Sequence, residues 1–528
     1  MAISTSTICG EGITASAPAL PVGDSRIDIV RDTLWYVAAA YAAQAIGFVG
    51  NILCRRYLGP TDSGVLALVT IAASYATLTH CGLIDGGNKL IPYWFGKARA
   101  RYAKQLADAM TTGSTVLSCF GSLLAAVAIV GWWRRLGTPL AIGLLVAAVR
   151  LPIQQRTTAY AVMLRARKRF RYLSLTRFIV AAVSIALIVL LVRWRGLYAM
   201  YLVLLLVATV NLVLWRRARS AVEFRRGAAP DSSPGMPKPV LRELFVAGIP
   251  ILAYGQLFIL IQSIDSVLIG RLGTMAQVGL YSFGSLISMA VWSAPNGFSA
   301  VMFPRSQERF ARSGAGELRR YTLLPVTLFA GTVVPVLVGA AWIVLPVVVA
   351  FALPAFREAV EPGRILLLGC YFLCLVNMPM QYLVTTNSFR RLIGIELAVV
   401  AAMGVGDCYV LTSGWGIGAV AAWTAICFAA LFLLLVLFGL RDLAAPPVLW
   451  STVGKVFAAF LYFCLLLRLI GYLGGTLAWS RAGGLLGCLL SLVVLGVGLM
   501  PMLVVTVLRA HVLNANQLNF LREAWRRA

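Results

Sequence analysis

Apolar runs of roughly 20 residues follow one another from Arg31 to Arg509. Residues 64–84 read GVLALVTIAASYATLTHCGLI, and residues 416–440 read GIGAVAAWTAICFAALFLLLVLFGL. A helix needs about 20 apolar residues to cross the hydrocarbon core of a bilayer. With no water there, a spanning segment of this kind must satisfy its own backbone, as a helix does. The pattern therefore predicts an all-α polytopic membrane protein.

Composition agrees. Of 528 residues 60% are hydrophobic and only 12% are charged, about half the charged share of a soluble domain. A net charge of +27 raises the question of nucleic acid. The positive residues, however, sit in short loops between apolar spans, the pattern set by membrane topology. No nucleic-acid partner is expected. Residues 1–30 are small and polar, with Pro18 and Pro21. They lack the basic cluster and apolar core of a signal peptide and read as a disordered tail. The ten cysteines are irregularly spaced inside apolar spans, as small packing residues are. With His80 and His511 as the only histidines, neither a metal site nor a cofactor is expected.

Fourteen spans are predicted, at about residues 32–54, 62–84, 107–131, 139–163, 173–192, 196–215, 244–269, 277–303, 321–350, 364–386, 392–411, 416–440, 450–473 and 483–508. One side takes both tails and the loops at 89–104, 165–177, 216–242, 305–320, 390–391 and 441–455, with about 33 Lys and Arg. The other side holds about ten. The positive side is cytoplasmic by the positive-inside rule, which places both termini in the cytoplasm and the chain in the cytoplasmic (inner) membrane. The longest loop contains GAAPDSSPGMPKP, a flexible linker. The expected organisation is a tail (1–30), a six-helix lobe (31–215), a linker (216–243), a second six-helix lobe (244–440), and two further helices with a cytoplasmic tail (441–528).

The two lobes read as copies. Setting Leu58-Gly59 on Leu272-Gly273 brings Gly64 within one residue of Gly279, and Pro92 answers Pro304. Six spans per copy is an even number. The copies are therefore expected to be pseudo-symmetric about the membrane normal, around a central cavity.

At these residues the chain resembles a family. YLGPTDSGVLAL followed by HCGLIDGGNKLIP resembles the first two helices of bacterial O-antigen flippases and polysaccharide exporters. SIDSVLIGRLGTMAQVGLYS followed by SAPNGFSAVMFPRSQ resembles their seventh and eighth helices. These belong to the multidrug/oligosaccharidyl-lipid/polysaccharide (MOP) superfamily. The likeness covers about residues 30–440 in organisation, although the specific motifs occupy only about 100 of them. It implies two six-helix bundles around a cavity. It also implies flipping of a polyprenyl-diphosphate-linked glycan, with membrane lipid and polysaccharide polymerases or glycosyltransferases as partners. The superfamily also holds drug and cation antiporters, so the resemblance alone leaves the substrate open.

Charged side chains inside a bilayer are costly and default to functional candidates. Arg150 lies mid-way along the fourth span in AAVRLPIQQRTTAY. Gln154 is one turn on, and Arg156 about 9 Å further along the axis at the helical rise. Arginine forks suit phosphate oxygens, so these residues read either as a cationic wall or, for Arg156, as a side chain snorkelling to the surface. Gln44, Asn51 and Arg55 share a face of the first span, facing either a cavity or another helix. The seventh span carries Gln262 and Asp265, with Arg271 at its end. Asp265 reads as a coupling-proton site or as the salt-bridge partner of an arginine, and as the one deep carboxylate of the second lobe. Asn296, Asn377 and Gln381 are candidates for the cavity border or for local hydrogen bonds at kinks.

Three classes of function compete. A lipid-linked glycan flippase needs cations in the cavity. A drug antiporter needs deep carboxylates, whereas Asp32, Asp62, Asp85 and Asp108 of the first lobe fall near span ends. A membrane glycosyltransferase needs a catalytic acidic cluster, and the 19 acidic residues are scattered. The first reading is preferred, with alternating access as its mechanism, and no enzymatic activity is expected.

Overall fold

The computed structural model describes residues 26–96, 99–166, 170–222, 240–313, 315–476 and 484–510. Most of the expected N-terminal tail, the middle of the linker and the C-terminal tail lie outside the described residues. Every regular element among those described is helical. The chain begins with α1 (Arg26–Tyr75), a 3-10 turn (Ala76–His80), α2 (Leu83–Gly96), α3 (Ala100–Gly131), the one-turn α4 (Trp133–Leu136) and α5 (Thr138–Ala166). It continues with α6 (Phe170–Leu187), a π-helical turn (Ile188–Val192) and α7 (Arg193–Val222). After the linker come α8 (Val240–Ile261), α9 (Ile264–Leu272), α10 (Met275–Ser313), α11 (Ala315–Gly331) and α12 (Val333–Ala352). Next are a 3-10 turn (Pro354–Ala359), α13 (Val360–Leu375), α14 (Asn377–Thr385), α15 (Phe389–Thr412) and α16 (Gly416–Leu434) with a π-helical turn (Leu435–Gly439). The last helices are α17 (Pro446–Thr476) and α18 (Gly484–Ala510).

Among the described residues, twelve helical stretches are long and apolar enough to cross a membrane. Two of them, Ala42–His80 and Leu175–Arg217, hold 39 and 43 residues, about twice what one crossing needs. Each is bent at a glycine that no side chain could replace without strain. Gly59 sits at φ 72°, ψ 179° and Gly196 at φ 57°, ψ −135°, regions that only glycine enters freely. Pro60 follows the first bend and removes a backbone donor there. Divided at these two glycines, the twelve stretches accommodate the fourteen passes expected from the sequence. The seventh pass is also broken, between α8 and α9, at Ser263 (φ −144°, ψ −9°).

Before the linker, α3 packs on α5, α1 on α6 and α5 on α7. After it, α13 packs on α16 and α10, and α15 on α16. The last two helices lie against α11 and α12. The two groups meet along two seams, α1 with α10 and α2 with α8. The α2–α8 seam lies toward the linker end of the bundle. There a Cβ on Gly248 would stand 1.9 Å from the Gly82 carbonyl oxygen, and one on Gly86 2.2 Å from that of Leu244. Close backbone approach at small residues is how helices associate when lipid supplies no hydrophobic drive. Beside it Glu243 of α8 accepts hydrogen bonds from the Trp94 indole (3.3 Å) and the Tyr102 hydroxyl. The α1–α10 seam closes the far end around Gly64 and Gly279.

Candidate functional site

Arg150 and Gln154 lie one turn apart on α5, and both line a cavity of about 80 Å³ within the first helix group. The other walls are Val69, Thr70, Ala73 and Ser74 of α1 and Leu204 of α7. Thr70 and Ser74 donate their hydroxyls to backbone carbonyls of their own helix, at 2.8 and 3.1 Å. Their oxygens therefore remain as acceptors. Among the described residues no hydrogen bond or ion pair engages Arg150. A guanidinium held in this setting with no counter-charge has the chemistry to bind an anion. Arg156, six residues on, is exposed and donates to the Tyr160 hydroxyl at 3.1 Å. It does not line this cavity, which fits the snorkelling alternative. Gln155, between them in sequence, is buried with its amide nitrogen unpaired.

The polar stripe of α1 behaves differently along its length. Gln44 donates to the Ser293 hydroxyl of α10 at 2.6 Å. Asn51 is exposed and donates to the Gly47 carbonyl of its own helix at 3.0 Å. Arg55 reaches across the seam to the Gly279 carbonyl and the Ser282 hydroxyl, both at 3.1 Å, and to the Ser282 carbonyl at 3.3 Å. Its guanidinium also lies over the rings of Phe283 (5.6 Å) and Phe356 (6.0 Å). Gln44 and Arg55 thus serve as helix–helix contacts in this conformation.

In the second group, Asp265 is 2% exposed. It accepts the Ser266 backbone N–H at 2.7 Å and the Tyr281 hydroxyl at 2.5 Å, and Tyr281 in turn meets the Thr424 hydroxyl at 3.1 Å. Among the described residues no arginine pairs with it, so the salt-bridge expectation is corrected: the partner is a phenol, brought in by the packing of α9 on α10. Nor is Asp265 the one deep carboxylate. Asp407 of α15 is fully buried, with both oxygens unpaired, and lies close enough to interact electrostatically with Asp265. Glu396, three turns earlier on α15, is likewise fully buried and unpaired. Both lie inside the predicted eleventh span, and a scan of each span for carboxylates finds them. Gln262 sits at the α8–α9 break with its amide nitrogen buried and unpaired. Arg271 and Asn296 are exposed, while Asn377 is buried and donates to the Cys374 carbonyl at 3.3 Å.

The candidate residues read from the sequence therefore separate. Arg150 and Gln154 share a cavity, Gln44 and Arg55 stitch the α1–α10 seam, and Asp265 belongs to a carboxylate pair with Asp407. Two buried carboxylates in electrostatic contact, with the Tyr281 and Thr424 hydroxyls beside Asp265, have the chemistry to take up a proton or a small cation. No cluster of three or more His, Cys, Asp or Glu suited to a metal ion occurs among the described residues. Cys370 and Cys374 are free thiols 3.9 Å apart, packed in the core.

The fold is similar to those of solved membrane transporters. The inward closed conformation of the lipid II flippase MurJ superposes with a TM-score of 0.64 at 10% identity, over 90% of this chain and 99% of that one. An outward-facing multidrug resistance MATE family transporter gives 0.57 at 15% identity, over 79% and 96%. A MOP-superfamily transporter from Pyrococcus furiosus, described by a reverse polarity of its binding pocket, gives 0.55 at 14%, over 83% and 95%. No curated protein matches by sequence. The polysaccharide biosynthesis protein family, however, matches residues 29–310, more than half of the chain. The chain belongs to that family, and it is a multi-pass membrane protein.

Proposed function

We propose that the protein flips a polyprenyl-diphosphate-linked glycan from the cytoplasmic to the outer leaflet. The observation that carries this reading is Arg150, a guanidinium facing a membrane cavity without a counter-charge, in a chain of the polysaccharide biosynthesis family. The linker end, which carries the basic loops, faces the cytoplasm. The diphosphate enters between the two helix groups from that side, while the polyprenyl tail stays in lipid. Arg150 replaces water around the phosphates, with Gln154 beside it. Rocking of the groups then breaks the α1–α10 contacts, including those of Arg55, and opens the outer end. Arg55, Asn51 and Gln44 become available to the glycan on that movement. The Asp265–Asp407 pair binds the coupling cation. Polysaccharide polymerases or glycosyltransferases are the partners that consume the flipped product.

The carboxylate pair also suits a drug or organic-cation antiporter. That reading places the carboxylates at the substrate, whereas the first group's cavity holds a cation, and a pocket's polarity selects the charge of its substrate. The experiment that separates the two is analysis of lipid-linked glycans in cells from which the protein is removed. Accumulation on the cytoplasmic leaflet, relieved by restoring the chain, is the expected result. Unchanged glycan pools together with loss of dye efflux would establish the antiporter.

A further inference from the structure

Glu396 has no role in the function proposed above, and its surroundings are unusual. It lies two turns into α15 from the linker end, fully buried, with neither carboxylate oxygen hydrogen-bonded. Removing a carboxylate from water without a partner costs several kcal/mol when it is charged. The neutral acid costs far less. In this conformation the side chain is therefore held with its proton on.

The charged and titratable groups around it are few. From α8 the Tyr254 phenol faces it, and Tyr254 also feels Asp85 of α2. On α9 the nearest acid is Asp265, toward the far end. On α15 itself, Asp407 lies eleven residues on, about 16 Å along the axis. Arg390 and Arg391 stand at the helix start, and Arg391 is already paired with Asp442 at 2.7 Å. Helix α14 brings only Tyr382, and α16 and its π-helical turn bring no charged side chain. Among the described residues no cation is in place to hold Glu396 as an anion.

Helix α8 packs on the helix that carries Glu396, and it is also the helix by which the two groups meet at the linker end. It packs on α15 on one side and on α2 on the other. The second contact is the tight Gly82–Gly248 crossing. Tyr254 of α8 lies within electrostatic reach of both Asp85 on α2 and Glu396 on α15. When the groups part at the linker end, the α2–α8 seam opens, and water reaches Tyr254 and the carboxyl behind it.

We propose that Glu396 is a proton-binding site whose occupancy is tied to closure of the linker end, separate from the Asp265–Asp407 pair. With the α2–α8 seam shut, the carboxyl keeps its proton. With the seam open, its O–H bond breaks, the proton passes to water on the linker side, and the carboxylate remains hydrated. Linkage then sets the sign. The shut state binds the proton more tightly, so acid favours it and rising pH favours opening. The proposal rests on the two-group movement of the flippase reading, but not on the identity of the substrate.

The test measures the seam directly and needs no substrate. Spin labels are placed, as non-canonical amino acids, at the exposed positions Asn88 on α2 and Leu241 on α8 of the full chain in lipid nanodiscs. Distances are read between about pH 6 and about pH 9, a range over which a carboxyl opened to water gives up its proton. In the otherwise native chain the long-distance population should grow several-fold across this range. In Glu396→Gln, which mimics the protonated acid, it should stay small throughout. A Gln variant with the native pH response overturns the proposal. So does a response abolished by Asp85→Asn but kept in Glu396→Gln, which would place the proton on Asp85. Absence of any pH response in the native chain overturns it as well. Failure of Glu396→Gln to fold does the same, because a site held neutral must accept the neutral isostere. Loss of glycan flipping with the distance response intact would leave this proposal standing and remove the flippase reading alone.

Discussion

Gly64 of α1 and Gly279 of α10 face each other across the seam between the two helix groups. A Cβ on Gly64 would stand 1.9 Å from the Met275 carbonyl oxygen and 2.9 Å from the Gly279 nitrogen. A Cβ on Gly279 would stand 1.9 Å from the Pro60 carbonyl oxygen. These are the two glycines that the internal repeat pairs in sequence, and the fold sets them against each other. Any side chain here pushes two backbones apart, and no flexible neighbour can give way. Gly279→Val should therefore prevent the far end from closing and reduce transport at least about tenfold, which a barrier change of about 1.4 kcal/mol suffices to produce. Accessibility of far-end positions to a membrane-impermeant thiol reagent checks the cause. Native accessibility with native transport would show that the crossing tolerates widening.

Arg55 secures the same end by polar contacts. Arg55→Ala removes its bonds to Gly279 and Ser282 and its contact with Phe283 and Phe356. A bias of about 1–2 kcal/mol toward the far-end-open state is expected, roughly a five- to thirtyfold change in population. Arg55→Lys should recover part of it, since a lysine keeps the charge and loses the fork. Distance measurements between the outer ends of α1 and α10 read this directly.

Arg150→Ala should abolish flipping while leaving membrane insertion intact, and Arg150→Lys should restore only part of the rate. The cavity loses its cation in the first case and its fork geometry in the second. Reconstituted flipping at matched protein levels is the measurement. Normal flipping by Arg150→Ala would show that the phosphate binds elsewhere.

Asp265→Asn and Asp407→Asn should each cut transport and flatten its dependence on proton or sodium concentration. The two side chains form one unit, so the double variant should be little worse than either single one. Additive losses, or an unchanged cation dependence in folded protein, would remove the coupling role.

Reporter fusions should place Met1, Gly235 and Ala528 in the cytoplasm, and Gly137 and Ser413 outside. An outward-facing Gly235 would overturn the division of α1 at Gly59 or that of residues 175–217 at Gly196.

The membrane class, the positions of the apolar spans, the sidedness implied by the basic loops and the internal repeat all follow from the order of residue types along the chain. Each rests on local physics. An apolar stretch must be a helix in lipid, and positive loops resist translocation. The bends within 42–80 and 175–217 are legible too, because charge together with Gly59-Pro60 in the first and Gly196 in the second punctuates them. What the partners of each polar group would be was decided only by tertiary packing. Arg55 lies on the stripe with Gln44 and Asn51, yet it docks on Ser282, 227 residues away, because α1 crosses α10. Asp265 finds Tyr281 instead of an arginine, and Asp407 joins it from α15, because α9, α10, α15 and α16 converge there. Spacing along one helix tells which residues share a face. It cannot tell which other helix that face will meet, and in a bilayer that meeting determines whether a buried charge is paired, shared or left waiting for a ligand.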